Sequence, residues 1–246
     1  MYHNILPEGD PYTITKEMFC EQMGFLHEQN YNVIDVRNFV THLIKNEKQT
    51  QKNVCLTFDD GYSNNFAYCL PELKKYHFKA TFYITTSLIN SELGFTEDQV
   101  RILSEKGMEI GSHTVNHVFL SSLPDDKLYY ELEESKKQLE DIIQKPVTSL
   151  SLPGGRGNNR IITAAQKTGY ETLCTSVYHP NDADTSLFSL GRIPIKRNCT
   201  IELFNKIVSL DQSLWKSIKL KQDVKFIIQR ILGNKLYHSL WQMRYE

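Results

Sequence analysis

Two carboxylates stand side by side at Asp59 and Asp60, where the apolar run Val54-Cys55-Leu56-Thr57-Phe58 gives way to Gly61. Further along come two histidines four apart, His113 and His117. A charge that closes a buried strand is costly unless it meets a cation or a hydrogen-bond partner. One carboxylate oxygen and two imidazole nitrogens make a three-ligand set for zinc or a similar divalent ion, with a position left open for water. Water held on such an ion is acidified from a pKa of about 15.7 toward about 7, so a second carboxylate beside it can take its proton near neutral pH. The pair therefore reads as one ligand and one base, an arrangement for hydrolysis. Asp-Asp-Gly alone would be a turn, and His-x-x-x-His alone two surface histidines; the combination carries the reading.

Those residues need a scaffold, and the remainder of the chain alternates short apolar strands with amphipathic helices. Strands are expected at 32–36, 54–58, 80–85, 108–112, 148–152, 171–176 and 190–195, and helices at 15–29, 38–45, 65–76, 96–106, 125–144, 160–168 and 201–210. The longest helix is expected to be capped by Asp125 or Asp126 and closed by Pro146, with Leu128, Leu132, Leu139, Ile142 and Ile143 as its buried stripe. That many strand–helix units in 246 residues fit an α/β barrel better than two separate domains. Polar loops follow the strands at 59–64, 112–116, 153–159 and 178–184, the end at which such folds place their chemistry.

Composition narrows the setting. A net charge of -1 gives no general pull toward nucleic acid. Residues 1–213 are expected to form the barrel and residues 214–246 a basic amphipathic helical segment. That segment carries Lys216, Lys219, Lys221, Lys225, Arg230, Lys235 and Arg244 against Asp223 and Glu246. It reads first as a helix covering the barrel and second as a surface for peripheral contact with an anionic membrane. The five cysteines are odd in number, widely spaced and never C-x-x-C, which argues against a disulfide framework or a structural zinc site. With no apolar stretch near the roughly 18 residues of a spanning helix and no signal-peptide layout at the start, a cytoplasmic location is expected.

Thr57-Phe58-Asp59-Asp60-Gly61 followed by Ser112-His113-Thr114-Val115-Asn116-His117 resembles the first two motifs of the polysaccharide deacetylase family, the NodB-like or family 4 carbohydrate esterases. Leu150-Ser151-Leu152-Pro153-Gly154-Gly155 is similar to the family's third, strand-end motif. The resemblance implies a distorted (β/α) barrel of about seven strands. It also implies Asp59 as general base and Asp60, His113 and His117 as ligands of a divalent metal, zinc before others. A metal-bound water would attack an acetyl carbonyl, the backbone N–H of Tyr62 would help hold the oxyanion, and Pro153 and Gly154 would line the substrate groove.

Two departures from the family pattern bear on mechanism. Many members place an arginine two residues before the proline of the third motif, where this chain has Ser151; Arg192 or Arg156 could supply that charge. The usual C-terminal Leu-x-His has no counterpart after Arg192. Instead Tyr2-His3-Asn4-Ile5 resembles the start of exopolysaccharide deacetylases of the poly-N-acetylglucosamine type, whose strand order is circularly permuted. His3 is then the candidate acid for the leaving amine, with His179 in reserve. Asp182 and Asp184 either orient the base or sit in a solvated loop. The resemblance thus implies a metal-dependent deacetylase acting on an N-acetylated amino sugar of a surface polysaccharide or its precursor, a glycan or glycolipid. The alternatives are an O-acetyl esterase or small-amide deformylase of the same fold, or an inactive glycan-binding member, which the missing motif arginine motivates.

Overall fold

The computed structural model describes residues 1–45, 52–155, 157–221 and 224. Among them run seven strands: β1 (Asn32–Ile34), β2 (Asn53–Cys55), β3 (Thr57–Phe58), β4 (Thr81–Ile84), β5 (Glu109–Ser112), β6 (Ser149–Ser151) and β7 (Thr172–Cys174). β3 to β7 form one parallel sheet in sequence order. Parallel neighbours need a crossover, and α3 (Ser63–Lys75), α4 (Glu97–Glu105), α5 (Asp125–Ile143) and α6 (Asn159–Lys167) supply one at each step. Single parallel bridges extend the sheet at both edges, Tyr2 to Phe58 on one side and Leu190 to Cys174 on the other. Met1 then donates to the Ile193 carbonyl and accepts from the Ile195 N–H, both at 2.9 Å, which joins the two edges. The distorted α/β barrel expected from the sequence is therefore what forms, a curled five-stranded half-barrel completed by two irregular segments.

The strand expected over 54–58 is two strands. β2 pairs with β1, β3 pairs with β4, and Leu56 marks the change of partner, its carbonyl accepting from the Thr81 N–H. An apolar run cannot reveal this, because both halves are extended whichever neighbour they take. The segment at 190–195 is likewise reduced to one bridge at Leu190.

Helix starts follow local chemistry. Thr15 caps α1 (Lys16–Glu28), Asp35 caps α2 (Val36–Ile44), and Thr96 with Gln99 makes a reciprocal capping box on α4. α5 corrects the expectation of an aspartate cap: Pro124 holds that position, and Asp125 and Asp126 fall in the first turn, where their charges meet the positive end of the helix dipole. The core is aromatic beside the site: Phe58 stacks on Phe82 with centroids 4.6 Å apart and on Tyr2 at 5.3 Å. All three are fully buried, and burying each such ring contributes about 2–3 kcal/mol.

Residues Met1–Phe204 form one compact unit and a second begins at Asn205. Residues 212–221 are helical. Apart from 214–221 and 224, the basic segment expected over 214–246 lies outside the described residues, and so does most of its suggested membrane face. No helix among the described residues is long and apolar enough to cross a membrane.

Candidate active site

The C-terminal ends of β3, β5 and β6 converge on one place. Past β3 the Asp59 N–H is pinned to the Tyr2 carbonyl at 2.9 Å, and the chain then reverses through Asp60 at φ +75° and Gly61 at φ +86°. A left-handed conformation costs a non-glycine residue about 1–2 kcal/mol, so the turn is held by its surroundings. Gly61 leaves little room for a side chain, since a Cβ there would sit 3.0 Å from the Ile84 side chain. The reversal sends the two neighbouring carboxylates to different partners.

Asp59 faces the barrel interior and is 2% exposed. The Arg192 guanidinium grips it bidentately, Nη1 donating to Oδ1 at 2.7 Å and Nη2 to Oδ2 at 2.8 Å. The Ser151 hydroxyl closes the triangle, accepting from Arg192 Nη2 at 2.7 Å and donating to Asp59 Oδ2 at 3.1 Å. Arg192 also donates to the Thr175 carbonyl and to Thr57 Oγ1, which aims its fork. Burial by itself pushes the Asp59 carboxyl up, but the Arg192 charge and then His113 overrule it and hold it well below the usual carboxylate range. Arg192 is thus the positive charge beside Asp59, although 133 residues separate the two; Arg156 lies outside the described residues.

Asp60 turns toward the histidines. Its Oδ1 lies 3.4 Å from His113 Nε2 and 3.3 Å from His117 Nε2. The three ligand atoms fall within 4.8 Å of one another. The ring of His113 has Nδ1 2.8 Å from the Ser151 carbonyl. A carbonyl can only accept, so Nδ1 carries a proton and Nε2 is the ring atom that faces Asp60. Asp60 Oδ1 is buried with no hydrogen-bond partner. Burial lowers the pKa of His113, yet Asp59 and Asp60 raise it further than burial lowers it, so the field here favours positive charge. An orphaned carboxylate oxygen, an aimed imidazole and a cation-seeking field all fit a divalent metal held by Asp60, His113 and His117. His117, with its side chain 49% exposed, opens the site to solvent.

The loop carrying both histidines contains two left-handed non-glycine residues, Thr114 at φ +67° and His117 at φ +53°. Its carbonyls at Thr114 and Val115 accept from the Thr86 and Ser87 N–H groups at 3.1 and 2.9 Å. Its amides at Val115 and Asn116 both donate to Glu131 Oε2 at 2.9 Å, and Asn116 Nδ2 donates to Oε1 at 2.7 Å. Glu131 is 4% exposed and belongs to α5. It was legible in principle: a charge stands between Leu128 and Leu132 on a helix face whose other members are buried.

His3 follows Tyr2 into the same neighbourhood. Its carbonyl is held by Asn65 Nδ2 at 2.9 Å, its ring lies 5.3 Å from that of Tyr12, and its Nδ1 is buried without a partner. Burial lowers its pKa, with the charges of Asp59 and Asp60 working the other way. Tyr62 precedes α3 and bridges Gly94, but the two bonds of that bridge are made by Ser63 N–H to Leu93 and Phe95 N–H to Gly61. The Tyr62 N–H therefore takes no part in it. The Tyr62 phenol is pushed up to about 12 by burial and by the Asp60 charge. Pro153–Gly155 forms a tight turn after β6; Gly154 has φ +67°, and a Cβ there would collide with the Phe119 ring. His179 pairs with the Pro180 carbonyl in an exposed loop, and Asp182 and Asp184 are exposed and bond within their own turn, the solvated-loop alternative.

A parallel α/β barrel with a carboxylate pair and two histidines at its strand ends defines a class of hydrolase, and similarity to known proteins gives the family. Residues 46–173 match the family described as polysaccharide deacetylase. Over 195 residues the chain is 32% identical to the candidate polysaccharide deacetylase YxkH of Bacillus subtilis, covering 79% of this chain and 70% of that protein. It is 29% identical over 156 residues to a peptidoglycan-N-acetylglucosamine deacetylase of Bacillus cereus, covering 61% and 67%. Among solved structures, the Streptococcus pyogenes deacetylase PplD, determined in complex with acetate, superimposes with a TM-score of 0.79 at 28% identity over 85% of this chain and 96% of that one. The chain belongs to the polysaccharide deacetylase family, hydrolases that act on amide bonds.

Proposed function

We propose that this protein removes the acetyl group from an N-acetylated amino sugar of a surface polysaccharide or its precursor, using a divalent metal, zinc before others. The observation that carries the reading is the division of the Asp59-Asp60 pair. Asp59 is locked to Arg192 and Ser151, while Asp60 faces His113 and His117. The names of the relatives support the substrate class, and the acetate bound by PplD is the acid such a reaction would release.

A metal held by Asp60, His113 and His117 would supply Lewis acidity, bringing the pKa of a water down toward about 7. That matters because a carboxylate held as low as Asp59 is a weak base and can accept a proton only from an acidified donor. Arg192 and Ser151 fix the orientation of the Asp59 carboxylate. The Tyr62 backbone N–H, which the bridge to Gly94 does not use, would be the donor for an oxyanion. His3, whose Nδ1 is buried without a partner, would protonate the departing amine. An amine leaves poorly unless protonated, whereas an alkoxide needs less help. Pro153 and Gly154, in the turn that follows β6, would line the groove for a sugar ring.

The deciding measurement is acetate release from N-acetylglucosamine oligomers by metal-reconstituted protein. Asp59→Asn should lower it by about 10²–10⁴-fold, the usual contribution of a positioned base. His3→Gln should slow amide cleavage far more than cleavage of an activated acetyl ester. Equal loss on both substrates would remove His3 from the acid role, and wild-type protein that binds metal yet releases no acetate from any acetylated glycan would end the proposal.

A further inference from the structure

We infer that Glu131 is a positioning residue that sets the separation and aim of His113 and His117 for their metal; this rests on the metal reading above. The loop between the histidines is held from two sides. Thr86 and Ser87 take its carbonyls, and Glu131 takes its amides. With Thr114 and His117 both left-handed, the successive N–H groups of Val115 and Asn116 turn to the same side and form a small concave anion site. In this fold the anion that fills it is a side chain of the protein itself. Both amides share Oε2, and Oε1 is occupied by the Asn116 side chain, so the carboxylate grips three donors within two residues.

The consequence for the ligands is direct. His113 precedes this pair by two residues and His117 follows it by one, so a shift of the gripped peptides changes the distance between the two imidazoles, now 4.9 Å between ring centroids. His113 has a second anchor in the Ser151 carbonyl. The His117 ring instead faces Asp60 and His113, its fellow ligands, and its backbone N–H reaches no farther than Thr114 Oγ1. The placement of His117 therefore depends on how its loop is held, and Glu131 is the side chain that holds it on the amide side. Residues that orient metal ligands in this way commonly change affinity by about 10- to 100-fold when removed. The buried position of Glu131 at 4% exposure excludes a role in contact with substrate.

The test separates reach from charge. Glu131→Asp keeps the charge but withdraws the oxygens by one methylene, whereas Glu131→Gln keeps an acceptor for the two amides and loses the charge. Binding is read on the full chain by the visible absorption of Co²⁺ and by competition for Zn²⁺ against a chelator, with no activity assay. Glu131→Asp should raise the dissociation constant by about 10- to 100-fold, and Glu131→Gln should raise it less. Leu139→Ala, a buried truncation about two turns farther along the same helix, should lower thermal stability and leave affinity unchanged. Binding by Glu131→Asp within about twofold of wild type would overturn the inference, since loss of a residue that orients a metal ligand has a far larger effect. So would a greater loss in Glu131→Gln, which would assign the effect to charge, or an equal loss in Leu139→Ala, which would make it one of stability. If wild type binds no Co²⁺, or Asp60→Ala binds it equally well, the metal reading itself fails and this inference with it.

Discussion

The two ends of the barrel each bury a carboxylate, and their fates are opposite. At the mouth, Asp59 after β3 is 2% exposed; at the base, Glu109 at the start of β5 is 6% exposed. Glu109 Oε2 accepts from Thr81 Oγ1 at 2.6 Å and from the Arg37 N–H at 3.0 Å, beside a cavity of about 140 Å³ lined by Asp35, Arg37, Ser104 and Lys145. The Arg37 guanidinium is 4.0 Å away and half in water. Burial raises the Glu109 pKa and the hydrogen bonds only moderate it. Burial acts on Asp59 in the same direction, but a guanidinium as buried as the carboxylate reverses the outcome. Neutral donors soften desolvation; an equally buried cation overturns it. The mouth thereby keeps a permanent anion for chemistry, while the base uses a carboxyl to tie α2, β4 and β5 together.

This contrast is broken most forcefully at Arg192. Arg192→Met should leave Asp59 as an uncompensated buried charge and cost about 3–5 kcal/mol in denaturant unfolding, and Arg192→Lys should not restore the loss because it lacks the bidentate fork. A cost below about 1 kcal/mol would show that the ion pair is no different from a surface one. At the base, Thr81→Val removes a donor to Glu109 and an acceptor for the Val36 N–H, for which about 1.5–3 kcal/mol is expected in the same experiment. Ser151→Ala, which deletes one neutral bridge while the guanidinium stays, should cost about 1 kcal/mol.

The smallest effect carries the clearest sign. The folded pKa of Glu109 lies above its ordinary value of 4.5, so the folded protein holds that proton more tightly than the unfolded chain. The contribution of Glu109 to stability is therefore full below pH 4.5 and is lost as pH rises through the raised folded value. Asp59, displaced downward from 3.8, contributes in the reverse sense, with stability present above 3.8 and lost as pH falls through its lower folded value. Glu109→Gln should flatten the decline above pH 4.5 while changing neutral-pH stability by less than about 1 kcal/mol. A stability–pH curve that keeps its slope there in Glu109→Gln would detach the effect from this residue.

Much of this was legible from local pattern. Thr15 announces the start of α1 because capping chemistry acts within three residues, whereas Asp35, inside the strand expected over 32–36, caps a helix that begins at Val36 and not at 38. Asp59 and Asp60 stood out because charges close an apolar strand. What escaped depends on pairing at long range. The split of 54–58 at Leu56 is a choice of neighbour, and Pro124 took a cap that either aspartate could have filled. Glu131 leaves a local signal, a charge on the buried face of α5, but the apolar stripe is complete without it, so the pattern does not say what the charge meets.

The sequence alone determined the chemical types at the site, their order along the chain and the strand ends that carry them, since these follow from residue identity and periodicity over a few positions. It narrowed the missing positive charge to two arginines and went no further. Only the tertiary structure decided that Arg192 meets Asp59, that Glu131 holds the histidine loop and that His3 comes within the electrostatic reach of Asp59 and Asp60. Those contacts arise where the Leu190–Ile195 segment returns to Met1 and where α5 packs over β5. They are set by how the barrel closes, which depends on register and curvature summed over the whole sheet and not on any local run of residues.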